Sequence, residues 1–292
     1  MRLAAAATLT ALAFLAQPAG ATTMFPEKFT CPIGGETFTA QVIGSYTSWG
    51  QRPDGREFGT LPIYPIIECP TNGLLLFEGK FTAADLALLT SAIASPEYQA
   101  MRKTETPRYR VWWMMTKLGR DPYRLVWQLL QASWESDHDL ERKGRYQKAY
   151  IAAATGLTRG SAQADEWFAY QMRAANALRE LGYFDKAASL LDRLNQPELL
   201  PTKPEEAAGA RRFIADLRQL IVEQNPSAEP ANMIPSGQAP YRCEAAIPQL
   251  TAVELAVCNK PEIAEKRKKV RQWIAEEREM KAKEEAKRSS TR

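Results

Sequence analysis

The sequence predicts an α+β protein that is mostly α-helical, in which a small β-rich module precedes helical hairpins and a charged C-terminal helix. Two observations carry this prediction. Short β-type runs, separated by clusters of glycine, proline, asparagine and aspartate, fill residues 29–81. From residue 82 to about residue 200, apolar residues recur at helical spacing. The predicted domains are therefore a module at 22–81 and a helical domain at 82–224.

The first 21 residues have the pattern of a secretory signal peptide. Arg2 precedes an apolar run at residues 3–16, and Ala19-Gly20-Ala21 supplies a small-residue cleavage pattern. An uncleaved membrane anchor is the alternative, although Gln17-Pro18 interrupts the run before it reaches the roughly 20 apolar residues of a spanning helix. We expect a secreted protein with no transmembrane segment after cleavage, in an oxidising compartment such as the bacterial periplasm, where cysteines pair.

The two turns that bound the module are alike. Cys31-Pro32-Ile33-Gly34-Gly35 opens it and Cys69-Pro70-Thr71-Asn72-Gly73 closes it. They look like zinc knuckles of the form Cys-Pro-x-Cys-Gly in which Gly34 and Asn72 replace the second cysteines. A structural zinc site needs four ligands, so we expect no metal and no cofactor. Because paired knuckles face each other, a Cys31–Cys69 disulfide is expected, and two free buried thiols are the alternative.

Helix signals follow the module in order. Thr82-Ala83-Ala84-Asp85 predicts a helix start and Ser95-Pro96 predicts its end. A further helical stretch covers residues 126–134.

Two later stretches share the pattern Gly-x-aromatic-x-Lys-Ala, beginning at Gly144 and Gly182. This pattern is typical of the turn between the paired helices of a tetratricopeptide (TPR) unit. Ala175 and Leu178 are the expected contacts on the first helix of the second unit. A generic helical hairpin is the alternative, because an array usually needs three repeats.

The order of these features resembles an uncharacterised bacterial family in which a zinc-ribbon-like module precedes TPR-like helices. The matching residues are Cys31-Pro32, Gly35, Phe38, Glu68-Cys69-Pro70, Gly73 and residues 77–81. The resemblance covers roughly residues 29–200. It implies an architecture and no reaction.

The C-terminal part divides into a linker and a charged segment. Residues 225–240 contain four prolines with small residues between them, which predicts an extended linker. In the segment 241–292, the spacing of Cys243 and Cys258 suits a local disulfide.

Charge is concentrated at the C-terminus. Residues 259–292 hold 12 basic and 7 acidic residues, whereas residues 22–258 hold 25 and 27. A balance this close to neutral argues against nucleic acid as a partner. The tail predicts either a solvated terminal helix or a helix that contacts a partner or anionic envelope material. The basic contacts would be Lys266, Arg267, Lys268, Lys269 and Arg271. Oligomerisation through this helix is a third possibility.

Catalytic patterns are sparse. The chain has no Gly-x-Ser-x-Gly elbow, no phosphate loop and no Cys-x-x-Cys. Its one histidine, His138, lies between Asp137 and Asp139 on a helix face that we expect to be exposed. We assign no catalytic residue.

The binding candidates lie in two segments that are rich in aromatic and charged residues. They are Trp49, Arg52, Asp54 and Arg56 in the loop between the knuckles, and Trp112 and Trp113 further on. Packing between the module and the first helices is the alternative role for both segments.

These features favour a non-enzymatic TPR-like scaffold that binds a protein or peptide of the cell envelope. The rival hypothesis is a hydrolase acting on envelope glycan or peptide through carboxylates near Trp49 or Trp112.

Overall fold

The computed structural model describes residues 22–61, 63–245 and 248–289, and the predicted signal peptide lies outside these ranges. The chain has the predicted α+β, mostly α-helical fold. The strands are β1 (Thr23–Thr30), β2 (Thr37–Ser45), β3 (Ser48–Gln51) and β4 (Glu57–Gly59). The helices are α1 (Ala83–Ala94), α2 (Pro96–Thr104), α3 (Pro107–Lys117), α4 (Pro122–Glu135), α5 (Leu140–Thr155), α6 (Ala164–Glu180), α7 (Phe184–Leu194), α8 (Pro204–Val222), α9 (Ala239–Glu244), α10 (Ala252–Cys258) and α11 (Pro261–Ser289).

The strands form two separate antiparallel hairpins, β1–β2 and β3–β4. Phe29 pairs with Phe38 across the first hairpin, and their rings stack with centroids 5.8 Å apart. In the second hairpin Gln51 pairs with Glu57, so the turn between the strands is short.

The two cysteine turns have the same backbone geometry. In each turn, the cysteine N–H donates to the carbonyl five residues on, and the cysteine carbonyl accepts from the glycine four residues on, at 2.8–3.1 Å. The predicted Cys31–Cys69 disulfide joins the turns. Asn72 Nδ2 donates to the Ile33 carbonyl at 2.8 Å, and it lies 3.9 Å from the point where a side chain on Gly34 would begin. The two positions that lack knuckle cysteines therefore face each other.

One hydrophobic core spans the predicted boundary between the module and the helical domain. Cys31, Cys69 and Leu74 pack with residues of α1–α3 such as Leu89 and Met114. The predicted start of α1 is confirmed: the Thr82 and Asp85 side chains each accept a backbone N–H from the other residue. Its end is also as predicted, because Ser95 caps α2 and Pro96 begins that helix. The module and α1–α3 therefore form one packed unit.

A second core joins α4 to α8, in which α4 packs against α5 and α6 packs against α7. Ala175 and Leu178 are buried there, as expected. Gly182, with φ +76°, lies in the predicted turn between α6 and α7.

Gly144 does not end a helix, so the prediction of a turn there is wrong. It lies inside α5, which starts where the Asp139 side chain accepts the N–H of Arg142 at 3.0 Å. A side chain at Gly144 would begin 3.5 Å from Leu181, beside the α6–α7 turn. That distance is an ordinary van der Waals contact, so the packing would also accommodate alanine, and the glycine costs the helix about 1 kcal/mol in propensity.

The proline-rich segment 225–240 is packed and is not the extended linker that the sequence predicts. Asn225, Ser227, Ala231 and Ala239 are buried. Long-range hydrogen bonds to Arg179 and Glu254 hold this segment against the rest of the chain.

The C-terminal segment forms a small third core around the predicted Cys243–Cys258 disulfide. Ile263 and Val270 of α11 are buried, and Arg267 Nε donates to Glu244 at 2.6 Å. Trp273 is half exposed and meets the ring of Tyr241 edge-on. Among the described residues, no helix combines the length and the apolar character that crossing a membrane requires.

Candidate functional site

One face of α4 carries three large side chains in line. Trp127, Gln131 and Trp134 are spaced i, i+4 and i+7, which places them along one side of a helix. Asp121 caps the start of this helix through the N–H of Tyr123. Gln131 and Trp134 are buried, whereas Trp127 is 37% exposed.

These side chains line a cavity of about 430 Å³ between α4 and the β-rich module, which we call the aromatic cleft. Its lining residues are Tyr46, Gly55, Glu57, Leu61, Ile63, Tyr64, Arg108, Trp127, Gln131 and Trp134. Clefts between packed units, with aromatic walls and a few polar groups, are typical ligand sites.

Several polar groups of the aromatic cleft lack a partner. Arg108 donates through Nη2 to the Tyr64 carbonyl at 2.7 Å and through Nη1 to Gln128 at 3.3 Å. Within the described ranges, Arg108 Nε and Trp134 Nε1 are buried without a hydrogen bond, and the Gln131 amide also makes none. A buried polar group left unpaired costs about 1–3 kcal/mol. Because Arg108 Nε and Trp134 Nε1 are closed off from the cleft as well, the Gln131 amide is the unpaired group among these three that a ligand can reach.

Burial also changes the charged groups beside the cleft. It lowers the pKa of Arg108, an effect that the charge of Glu135 opposes. Burial raises the pKa of Glu135, whose carboxylate accepts a hydrogen bond from the backbone N–H of Arg108 at 2.9 Å.

Two further cavities continue the aromatic cleft along the helices. Trp127 and Arg173 line a cavity of about 380 Å³ between α4 and α6. Arg173 and Gly55 line a third, of about 370 Å³, between α6, α8 and the β3–β4 turn. Apolar side chains dominate the helical walls of the third cavity: Phe168, Ala169, Met172, Ala210 and Phe213. Neighbouring cavities share lining side chains, so the three lie side by side across α4, α6 and α8, and we call this surface the groove.

The β3–β4 turn lies in this groove. Gly55 lines both the first and the third cavity and has φ +90°. A side chain at Gly55 would begin 2.8 Å from Arg173 Nε. The glycine therefore lets the turn lie directly against α6.

Buried ion pairs hold this turn in place. Arg52 is 3% exposed and binds Asp54 through two hydrogen bonds, of 3.1 and 2.6 Å. Its Nη1 lies 2.7 Å from the Asp137 carboxylate, which also forms ion pairs with Arg56 at 2.7 Å and with Lys143 at 2.9 Å. The turn is thereby linked to the α4–α5 connection and to α5.

The ion pairs outweigh burial in setting the pKa values of Arg52, Asp137 and Lys143, whereas burial and the charge of Arg52 lower the pKa of Arg56. Burial alone would lower the pKa of Arg52, but Asp54 and Asp137 raise it above its ordinary value. Burial would raise the pKa of Asp137, but Arg52 and Lys143 bring it below its usual range. Lys143 also meets Glu180 at 3.1 Å, and its pKa is raised despite burial.

A second buried network connects α6 to the C-terminal part. Arg179, with no exposed surface, donates to the Asn225 and Ser227 carbonyls at 2.5 and 2.8 Å. Asn225 Nδ2 donates to Glu254 at 2.8 Å, and Glu254 pairs with Arg242 at 2.7 Å. These bonds fold the proline-rich segment onto the helices, which explains why it is not a free linker.

The six candidate residues from the sequence do not form one site. Trp49 is exposed on β3, whereas Arg52 and Asp54 are buried in the ion-pair cluster and Arg56 lies at its edge. Arg52 and Asp54 therefore have the alternative role, because they are packed between the β-rich module and the helices.

The two tryptophans of α3 also have different surroundings. Trp113 is buried and donates to Glu97 at 3.1 Å. Trp112 is half-buried, packs against both large cores and lies beside Tyr109.

The sequence reasoning missed Trp127 and Gln131 as candidate site residues. Their signal was the i, i+4, i+7 spacing with Trp134, which also fits an ordinary buried helix face. His138 is exposed, and the described residues contain no group of three or more histidine, cysteine, aspartate or glutamate side chains arranged to hold a metal ion.

Comparisons of the chain with protein-family models, with curated proteins and with solved structures found no match. The assignment to a zinc-ribbon and TPR-like family therefore stays a prediction.

Proposed function

We propose that the protein is a secreted, non-enzymatic scaffold that holds an extended segment of another cell-envelope protein in the groove across α4, α6 and α8. The observation that carries this proposal is the row of three adjacent cavities. Trp127 lines the first two cavities and Arg173 lines the second and the third. A single small molecule would need one cavity, whereas a chain segment can occupy several neighbouring ones.

The order of the helices supports a peptide as the ligand. Alternate helices α4, α6 and α8 line the groove, while α5 and α7 pack behind them. Helical-repeat proteins use such surfaces to bind extended segments. The groove lining mixes apolar side chains with charges of both signs, which suits a mixed peptide sequence.

The proposed location outside the cytoplasm has two supports. Residues 1–21 have the signal-peptide pattern, and both disulfides close within single packed units of the structure. The bacterial periplasm fits both features, because it receives exported proteins and its oxidising conditions keep disulfides formed.

No observation favours the hydrolase alternative. Glu57 is the one carboxylate among the described residues that line the aromatic cleft, and the other carboxylates of the groove, Glu166, Asp165 and Glu206, line the second and third cavities. A glycosidase uses two carboxyl groups flanking the scissile bond.

Selection of displayed random peptides on the mature protein tests this proposal. We expect groove-binding peptides whose affinity falls by about tenfold or more when Trp127→Ala and Phe213→Ala are combined, because both side chains line the groove. The matched control is Tyr183→Ala, at a residue that is 41% exposed in the α6–α7 turn and outside the three cavities.

Peptides that bind the groove variant as tightly as the parent would contradict the proposal. So would the recovery of no peptide from a library that yields binders for a known peptide-binding domain in parallel.

A further inference from the structure

We infer that the segment held in the aromatic cleft is a proline-rich stretch in the extended polyproline II conformation. This inference rests on the proposed function and narrows the class of its partner. Three features of the cleft support it, namely its rings, the unpaired amide of Gln131 and its charge.

The rings match the ligand's shape. Tyr46, Tyr64, Trp127 and Trp134 line the cleft, and the first three are more than a third exposed. Proline rings dock between aromatic side chains in the known grooves that recognise polyproline II segments. A chain already in that conformation loses little entropy on binding.

An unpaired amide matches the ligand's hydrogen-bonding capacity. Gln131 lines the cleft, and its side-chain amide, which has two N–H donors, makes no hydrogen bond within the described structure. A polyproline II chain has no internal hydrogen bonds, and proline has no N–H, so a proline-rich segment presents carbonyl acceptors only. Gln131 Nε2 can therefore donate to a carbonyl of such a segment.

The charge of the cleft favours a neutral segment. Arg108 and Glu57 are its two charged lining residues, one of each sign. A strongly acidic or basic ligand would leave one of them beside a like charge.

The protein's own chain shows that the adjoining hairpin accepts a proline ring. Pro235 of the packed proline-rich segment lies against β3, with its Cγ 2.3 Å from the point where a side chain on Gly50 would begin. A proline ring therefore rests directly on the backbone of the hairpin that borders the groove.

Binding of fluorescein-labelled decaproline, followed by anisotropy, tests the inference. The matched peptide is a decapeptide of alternating alanine and serine with the same label. We expect decaproline to bind at least about tenfold more tightly than the matched peptide. Trp127→Ala should weaken decaproline binding by about tenfold or more, because it removes a partly exposed ring that lines the cleft.

A second variant isolates the donor. Gln131→Leu keeps a side chain of similar size and removes the amide donor, so we expect weaker decaproline binding by a few-fold. Trp273→Phe is the control, because Trp273 lies on α11 outside the groove, and we expect it to leave affinity unchanged.

The outcomes separate this inference from the proposed function. If the displayed library yields proline-free peptides that need Trp127 while decaproline does not bind, the inference is wrong and the proposed function stands. If no peptide binds in a Trp127-dependent way but chitotetraose does, both are wrong. Equal binding of decaproline and the alanine-serine peptide also overturns the inference.

Discussion

The β1–β2 hairpin has strands of eight and nine residues whose side chains are mostly exposed, whereas the β3–β4 hairpin has strands of four and three residues and a buried turn. The long hairpin is fixed at its closed end, where Cys31 forms a disulfide directly after β1. The short hairpin is fixed at its turn, where Arg52 is paired with Asp54 and Asp137.

The long hairpin therefore belongs to the scaffold, whereas the short hairpin helps to form the candidate site. The disulfide ties the long hairpin to the core that it shares with α1–α3. The ion pairs tie the short hairpin to the α4–α5 connection, so that Gly55 and Glu57 line the groove. We therefore expect changes at Arg52 to affect both stability and binding, and changes in the long hairpin to affect stability alone.

The largest effect is expected for Arg52→Ala. Removing this guanidinium leaves Asp54 and Asp137 without their main buried partner, which should lower the free energy of unfolding by about 3–5 kcal/mol. Lys28→Ala on exposed β1 is the control and should change it by no more than about 0.5 kcal/mol. Urea unfolding followed by tryptophan fluorescence measures both, and equal values for the two variants would contradict the account.

Removal of the disulfides should have the next largest effects. The loops closed by Cys31–Cys69 and Cys243–Cys258 have sequence separations of 38 and 15. Their loss should lower stability by about 4 and about 3 kcal/mol in the chain-entropy account. Paired cysteine-to-serine variants test this by urea unfolding, and a smaller loss for the first pair than for the second would reverse the expected order.

A moderate effect is expected at the turn glycine. Gly55→Ala places a side chain at φ +90° and against Arg173, which should cost about 1–3 kcal/mol. Gly237→Ala is the matched control, since nothing lies within 4 Å of its added carbon. Thermal unfolding of both variants measures the difference, and no difference would show that the turn is not held against α6.

The smallest effect is a pH dependence. Because the folded state lowers the pKa of Asp137 below its ordinary 3.8, this carboxylate stabilises the fold above that pH and loses its contribution as the pH falls through the folded value. The groups facing it are Arg52, Arg56 and Lys143. Melting temperatures from pH 7 to pH 2.5 should therefore show a gap between the parent and Asp137→Asn that narrows below about pH 4. A gap that is constant with pH would argue against this ion-pair role.

Local patterns in the sequence predicted the parts of the fold that local physics determines. The Cys-Pro turns and the Thr82–Asp85 capping box depend on residues within a few positions of each other. The repeated glycine pattern failed at Gly144 because the same six residues are compatible with a helix interior once Asp139 starts the helix earlier.

The site depends on contacts that no local pattern specifies. Arg52 and Asp137 are 85 positions apart, and a turn containing Arg52 and Asp54 reads equally well as an exposed loop. Trp127 lines the aromatic cleft together with Gly55 and Glu57 of the β3–β4 hairpin, which lie about 70 positions earlier in the chain. The groove therefore depends on how the β-rich module packs against the helices, which no local sequence pattern predicts.

The most direct test of the account is photocrosslinking in intact cells from within the groove. p-Benzoylphenylalanine replaces the aromatic side chain at Trp127 in one variant and at Tyr183 in another, and both positions are partly exposed. The account predicts that position 127 forms a crosslink to a discrete envelope protein, which decaproline competes away, and that position 183 does not. Identical crosslinks from both positions, or none from position 127, would contradict a binding groove on α4, α6 and α8.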